Sequence, residues 1–238
     1  MSKQLHTEAQ QHTRDYLQKN GVTEHMIYGP TSDEYWNEPV RIVALNMEPY
    51  GYDGSGLYPV DRKVLMDWIY AKGRNRPRTA RYTFALMSTI ISHLENNITP
   101  SQDLCRKAHS DEAGINRTLA RTAYYNIRPD SNSKKNQDFG AIASVGTSEL
   151  GRLIWKEIRA LDPHLLLVSG KAGLVALNNL IGMNAPIKFR DSYAHPDGFL
   201  IQSIAHPSRP KYHEWVKVVE GIWRWKKETS FNNESSKC

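Results

Sequence analysis

The chain has 238 residues, of which 39% are hydrophobic and 24% charged, and its formal net charge is +6. We predict one α/β domain with a sizeable core at residues 1–228 and a flexible tail at 229–238. Two cysteines are too few for a disulfide framework, a four-thiolate zinc site or an iron–sulfur cluster. No apolar run approaches the roughly 18 residues of a membrane helix, and the N-terminal segment is polar, so we expect a soluble, cytoplasmic protein without membrane contact.

Apolar periodicity and breaker residues predict helices and strands that alternate along the chain. In chain order, the predicted elements are a helix at 5–19, a strand at 40–45, helices at 61–72, 81–96 and 101–119, a strand at 121–127, a helix at 148–161, a strand at 162–170, a helix at 171–181, a strand from 198 and a helix at 211–228. The predicted helix at 101–119 contains a breaker, "AG" at 113–114. The polar segment 128–140 is predicted as the most flexible internal loop. This alternation indicates an α/β fold, predicted as a three-layer αβα sandwich with a mainly parallel central sheet of about four strands.

Three of the predicted strands end in polar residues. Asn46 follows "VAL", Asn126 follows "AYY" and His206 follows "QSIA". Each also has a purely structural interpretation, as a turn cap, a partner within its own loop, or a satisfied histidine before a proline. Because ligands of parallel sheets bind beyond the carboxyl ends of the strands, we predict that the three side chains converge on one site.

A second feature is the basic segment at residues 72–81, "KGRNRPRTAR", which holds five cations. Its glycine and proline break helical periodicity, so we predict an exposed loop in which Arg74, Arg76 and Arg78 contact phosphates. A solvated surface loop is the alternative. A basic patch of this kind indicates an anionic partner without indicating an activity.

Cofactor and metal motifs are missing from the sequence. The stretch "VSGKAG" at 168–173 lacks the spacing of dinucleotide-binding and phosphate-cradling loops, and is predicted to be a strand-to-helix turn. The nine histidines include no H-E-x-x-H pair. We therefore predict neither a cofactor nor a metal.

The three polar strand ends lie within short motifs, "ALNMEPYG" at 44–51, "NIRP" at 126–129 and "HPSRP" at 206–210. In this order the motifs resemble those of the uracil-DNA glycosylase superfamily, most closely the single-strand-selective monofunctional type. The first motif matches at Asn46, Pro49, Tyr50 and Gly51. The resemblance spans roughly residues 40–225, and its specificity comes from the ordered set of motifs rather than from any one of them.

The resemblance implies a role for each matched residue. Asn46 would hold the attacking water and His206 would donate a hydrogen bond to the base oxygen as negative charge develops there. Asn126 would read the polar edge of a flipped base. The other implied contacts are Tyr50 and Tyr58 to the base, and Ser208, Arg209 and Lys211 to DNA, with Arg209 filling the space that the base leaves. No lysine in the motifs is placed as a nucleophile, which favours a glycosylase without lyase activity.

The chain departs from the family pattern at Glu48, where the resembled type has glycine. A carboxylate beside C5 of bare uracil would be desolvated without a partner, so Glu48 either binds a C5 substituent or has a structural role, bound to an arginine or a backbone amide. The expected function is a DNA glycosylase, expected to act as a monomer, that removes uracil or a C5-modified pyrimidine. One such base is the glucosylated hydroxymethylcytosine of phage DNA, which would imply anti-phage defence. The alternatives are a noncatalytic nucleic-acid-binding module and a hydrolase of small nucleosides.

Overall fold

The computed structural model describes ten segments of the chain, 3–22, 25–27, 29–46, 57–59, 66, 69–70, 78–127, 139–183, 185–206 and 211–235. It describes only the backbone at 25–27, 57–59, 78–79, 139 and 229–235. Within these segments, no helix has the length and apolarity needed to cross a membrane.

The described helices and strands alternate for much of the chain, which confirms the α/β class. The helices are α1 Lys3–Lys19, α2 Arg78–Asn96, α3 Gln102–Ser110, α4 Glu112–Arg121, α5 Phe139–Val145, α6 Glu149–Ala160, α7 Gly170–Ile181 and α8 Tyr212–Ser235, with a 3-10 helix at Asp33–Asn37. The strands are β1 His25–Ile27, β2 Gly29–Pro30, β3 Ile42–Asn46, β4 Leu57–Pro59, β5 Thr122–Asn126, β6 Leu165–Ser169, β7 Ser192–Ala194 and β8 Leu200–Ile204.

The main sheet has six strands in the order β2-β5-β3-β6-β8-β7 and is mixed, whereas about four mainly parallel strands were predicted. The four inner strands pair in parallel, and the outer strands β2 and β7 pair antiparallel to their neighbours. Every residue of the inner strands is buried, which explains why they appear in the sequence as nearly continuous apolar runs. The strands β1 and β4 form a separate parallel pair.

The Cα positions divide the chain into two compact units. One unit comprises residues 1–77 and 119–206 and contains both sheets; the other comprises 78–118 and 207–238. In the second unit, the ring of Tyr82 lies 4.2 Å from that of His109, and Tyr212 meets Trp215 edge to face at 5.4 Å. The single domain and the flexible tail remain predictions, and α8 extends to Ser235, beyond the predicted helix end at 228.

The predicted helix at 101–119 is two helices in the structure, α3 and α4, and the break lies at Asp111, just before the predicted breaker "AG" at 113–114. The Asp111 side chain accepts a hydrogen bond from the Gly114 N–H at 2.8 Å, while the Ser110 hydroxyl donates to the Lys107 carbonyl at 3.0 Å. These local bonds end one helix and begin the next. The predicted helix at 61–72 and loop at 128–140 lie mostly outside the described residues.

A buried polar cluster joins α1 and α6 to strand β5. The Tyr125 hydroxyl donates to Glu157 Oε2 at 3.2 Å, and His6 Nε2 lies 2.6 Å from the same hydroxyl. The Thr13 hydroxyl donates to Glu157 Oε1. The cluster anchors the first helix on the strand that ends in Asn126.

Candidate active site at the carboxyl ends of the strands

The structure brings Asn46 and Asn126 together, as predicted. They are the last residues of β3 and β5 and lie in direct register, and the Ile127 N–H donates to the Asn46 carbonyl at 2.8 Å. Both side chains are buried, with 2% and 1% of their surface exposed. Residues in register on neighbouring parallel strands project from the same face, so the two amides share one side of the sheet.

Tyr124 connects the two asparagines. Its hydroxyl forms hydrogen bonds with the side chains of both Asn126 and Asn46. Tyr124 precedes Asn126 by two residues on β5, which places both on the same face, and its register partner on β3 is the small Ala44. Burial raises the pKa of Tyr124 well above its ordinary value, and the two hydrogen bonds offset this only in part, so the phenol keeps its proton.

His206 reaches the same edge of the sheet from β8. That strand ends at Ile204, two residues before His206, and runs parallel to β6, which in turn runs parallel to β3. The three predicted side chains therefore follow the carboxyl ends of three parallel strands. His206 is half-buried, and burial lowers its pKa, which favours a neutral imidazole at neutral pH.

Ser169 is a candidate site residue that the sequence analysis missed. It is the last residue of β6, which lies between β3 and β8 in the sheet, and it is in register with Ile204 of β8. Its hydroxyl is fully buried and has no hydrogen-bond partner among the described residues, although it stands at the N-cap of α7. The next residue, Gly170, has a left-handed φ of 76°. The sequence does contain a signal for Ser169, because the apolar run of β6 ends in this serine, as β3 and β5 end in asparagine.

Several predicted contacts cannot be placed in this site. Glu48, Tyr50, Arg74, Arg76, Ser208 and Arg209 lie outside the described residues. For two others only the backbone is described. Tyr58 lies in β4, in register with Met26. Arg78 is the first residue of α2. Arg78 was predicted in a loop, but the helix begins there, three residues before its predicted start. Lys211 is described, and its ammonium group lies 3.6 Å from the Glu214 carboxylate.

The candidate site offers hydrogen bonds from uncharged groups, namely two amides, an imidazole, a phenol and a hydroxyl. Among the described residues, no group of three or more His, Cys, Asp and Glu side chains is arranged to hold a metal ion. Such a site can orient water and stabilise an oxyanion without a strong base. Comparison of the chain with protein-family models and with curated proteins finds no match.

Proposed function

We propose that the chain is a monofunctional DNA glycosylase that flips a pyrimidine nucleotide out of DNA and hydrolyses its N-glycosidic bond. The product is an abasic site, and the fold is proposed to be the three-layer sandwich of the uracil-DNA glycosylase superfamily. One observation carries the proposal: Asn46 and Asn126, from two separate motifs, lie in register at neighbouring strand ends. Ligands of parallel sheets bind at this edge.

The chemistry suits the side chains at the edge. Hydrolysis passes through a cationic sugar and an anionic base, so the enzyme has to hold a water molecule and stabilise charge on the base. In the proposal, the Asn46 amide holds the water and Asn126 binds the polar edge of the base. The lowered pKa of His206 fits an imidazole that donates its N–H to the base oxygen rather than one that carries a charge.

The proposed substrate is DNA that contains uracil or a C5-modified pyrimidine, such as the glucosylated hydroxymethylcytosine of phage DNA. Tyr50 and Tyr58 are proposed to contact the flipped base, with Glu48 beside C5. A carboxylate at that position suits a substituent that brings hydroxyl donors, because bare uracil has none there.

The test is mass spectrometry of the bases that the purified protein releases from a panel of DNAs. The panel contains uracil-substituted DNA, ordinary genomic DNA and phage DNA with modified cytosines. Release of one free base, with the sugar–phosphate chain intact, would establish both activity and substrate. The Asn46→Ala variant, purified in the same way, controls for a contaminating glycosylase.

Two results would contradict the proposal. Tight DNA binding without release of any base would favour a binding module. Release from free nucleosides but not from DNA would indicate a small-nucleoside hydrolase.

A further inference from the structure

Tyr124 lies beside two proposed functional residues but has no role in the proposed reaction so far. Its hydroxyl meets the side chains of Asn46 and Asn126, the two residues proposed to hold the water and the base. The tyrosine is only 3% exposed, and its strand neighbour in register is Ala44, which leaves room for the ring. The phenol is therefore a buried, rigid group that contacts both amides.

An asparagine amide needs such a fixed partner to present a defined edge. Rotation about its last side-chain torsion has broad minima, and turning the amide over exchanges a donor for an acceptor. For a base-reading residue this exchange matters, because the C4 position of uracil carries an acceptor and that of cytosine carries a donor. The orientation of Asn126 thus decides which of the two classes of pyrimidine it can bind.

We propose that Tyr124 is a positioning residue that holds the amides of Asn46 and Asn126 in their working orientations. This inference rests on the proposed glycosylase function. A single hydroxyl then couples two properties of the enzyme, the placement of water at the sugar and the choice between 4-keto and 4-amino pyrimidines.

The substitution Tyr124→Phe removes the hydroxyl and keeps the ring. We expect kcat for base release to fall about tenfold, or about 1.4 kcal/mol, because the amides of Asn46 and Asn126 lose the partner that orients them. We expect KM for DNA to change less than about twofold, since the tyrosine does not touch the DNA backbone in the proposed complex. The rate of release of the preferred pyrimidine class, divided by that of the other class, should fall by about threefold or more.

The neighbouring Tyr125→Phe variant is the matched control. Tyr125 lies on the same strand and is also buried, but it faces the opposite side of the sheet, where its hydroxyl contacts Glu157 and His6. Removal of the Tyr125 hydroxyl should lower stability. It should leave kcat for base release, KM for DNA and the ratio of release between the two pyrimidine classes unchanged. A general effect of removing a buried tyrosine hydroxyl would instead appear in both variants.

A second measurement is independent of activity. The side-chain NH₂ resonances of Asn46 and Asn126 in ¹⁵N NMR spectra should both shift in Tyr124→Phe and stay in place in Tyr125→Phe. If the wild type releases no base from any DNA, the proposed function fails, and these resonances still decide the role of Tyr124. The inference is overturned if Tyr124→Phe leaves them at their wild-type positions, or if Tyr125→Phe shifts them equally.

Discussion

At the scale of single residues, the candidate site consists of groups that carry no charge at neutral pH. Burial lowers the pKa of His206 and raises that of Tyr124, which favours the neutral form of both at neutral pH. Hydrogen bonds from such groups stabilise charge that appears only during the reaction. The proposed activity should therefore be more sensitive to the orientation of these side chains than to pH.

The first prediction concerns the two proposed catalytic residues. Asn46→Ala and His206→Ala should each lower base release by about 100-fold or more, because each removes a hydrogen bond made in the transition state. Folding and affinity for DNA should remain close to wild type. Single-turnover release and DNA binding, measured on the same preparations, separate the two effects.

The chain contains a matched control for His206, since "AHP" occurs at both 194–196 and 205–207. The other histidine, His195, stacks on Phe199 at 4.4 Å and follows β7, whose last residue Ala194 pairs with Leu200 at the amino end of β8. It therefore lies toward the opposite edge of the sheet. Substitution of His195 by alanine should leave release per folded molecule unchanged, and an equal loss would contradict the assigned role of His206.

The second prediction concerns Ser169, whose buried hydroxyl has no described partner. Ser169→Ala should raise the free energy of unfolding by up to about 1 kcal/mol, because the substitution removes an unsatisfied polar atom. Ser203→Ala is the contrasting variant, since the Arg190 N–H donates to the Ser203 hydroxyl at 3.2 Å. It should lower stability by about 0.5–1.5 kcal/mol. Urea unfolding that shows a similar loss in both variants would mean that Ser169 is satisfied in solution.

Three residues of the candidate site could be predicted from the sequence because of where they stand in its apolar pattern. Asn46, Asn126 and His206 end or closely follow apolar runs, where a polar residue interrupts the pattern. Tyr124 was taken as one more strand residue, because only the register between β3 and β5 shows that its hydroxyl meets both amides. Ser169 was assigned to a turn, since serine is common before helices and the missing cap bond is visible only in three dimensions.

At the scale of elements, the predictable strands are those buried on both faces. The inner strands have five residues each and are apolar for most of their length. The strands β1, β2, β4 and β7 were missed because two or three residues are too few to show a periodic pattern. The break between α3 and α4 was predicted at "AG" rather than at Asp111, because its position depends on side-chain bonds of Ser110 and Asp111.

The anchorage of α1 contains two buried groups, and ionisation of either one lowers stability, Glu157 as pH rises and His6 as pH falls. Burial raises the pKa of Glu157 from 4.5 to about 7, against hydrogen bonds from Thr13 and Tyr125, so its contribution is lost as pH rises through that range. Burial lowers the pKa of His6 from 6.5 to about 4, so its contribution is lost as pH falls through that range. Between about pH 4.5 and pH 6.5 the two effects largely cancel in the wild type.

The third prediction separates these two groups by substitution. Relative to wild type, Glu157→Gln should gain stability as pH rises from about 4.5 to about 7, by up to about 3 kcal/mol. His6→Gln should gain relative stability in the opposite direction, as pH falls from about 6.5 to about 4. Chemical unfolding at a series of pH values gives both differences. Profiles that stay parallel to wild type would show that the cluster does not titrate with folding.

At the scale of the whole molecule, the net charge of +6 includes cations that are already paired with carboxylates. Several described arginines pair with carboxylates, including Arg106 with Asp103 at 2.9 Å, Arg152 with Glu149 at 2.6 Å and Arg159 with Asp197 at 2.8 Å. Cations that already pair with carboxylates contribute less to attracting an anionic partner. The predicted contact of the basic segment at 72–81 with DNA is tested against these paired arginines.

The fourth prediction tests that segment. Replacing Arg74, Arg76 and Arg78 by glutamine should weaken binding to all DNA sequences alike. The slope of log affinity against log salt should flatten by up to about 0.9 for each lost duplex contact. A triple variant of Arg106, Arg152 and Arg159 removes the same net charge from paired positions and should change the slope less. Equal slopes in the two variants would assign the segment to solubility.

The division of the chain into two units was beyond the reach of local sequence patterns. Each unit combines two distant segments, and the second joins α2 and α3 to α8, near the other end of the chain. Periodicity reports which face of a helix is buried, but not which distant helix covers it. Trp215 and Tyr82, whose rings lie 6.4 Å apart, illustrate a contact of this kind.

The outer strands of the main sheet affect how one molecule can meet another. β2 has two residues, one of them Pro30, which has no N–H to donate, and β7 has three residues. A long, regular sheet margin is a template on which a foreign strand can add and begin aggregation, and short or proline-bearing margins remove that template. The four apolar inner strands are thus flanked by outer strands that offer a foreign strand few backbone groups in a row, which disfavours growth of the sheet from one molecule to the next.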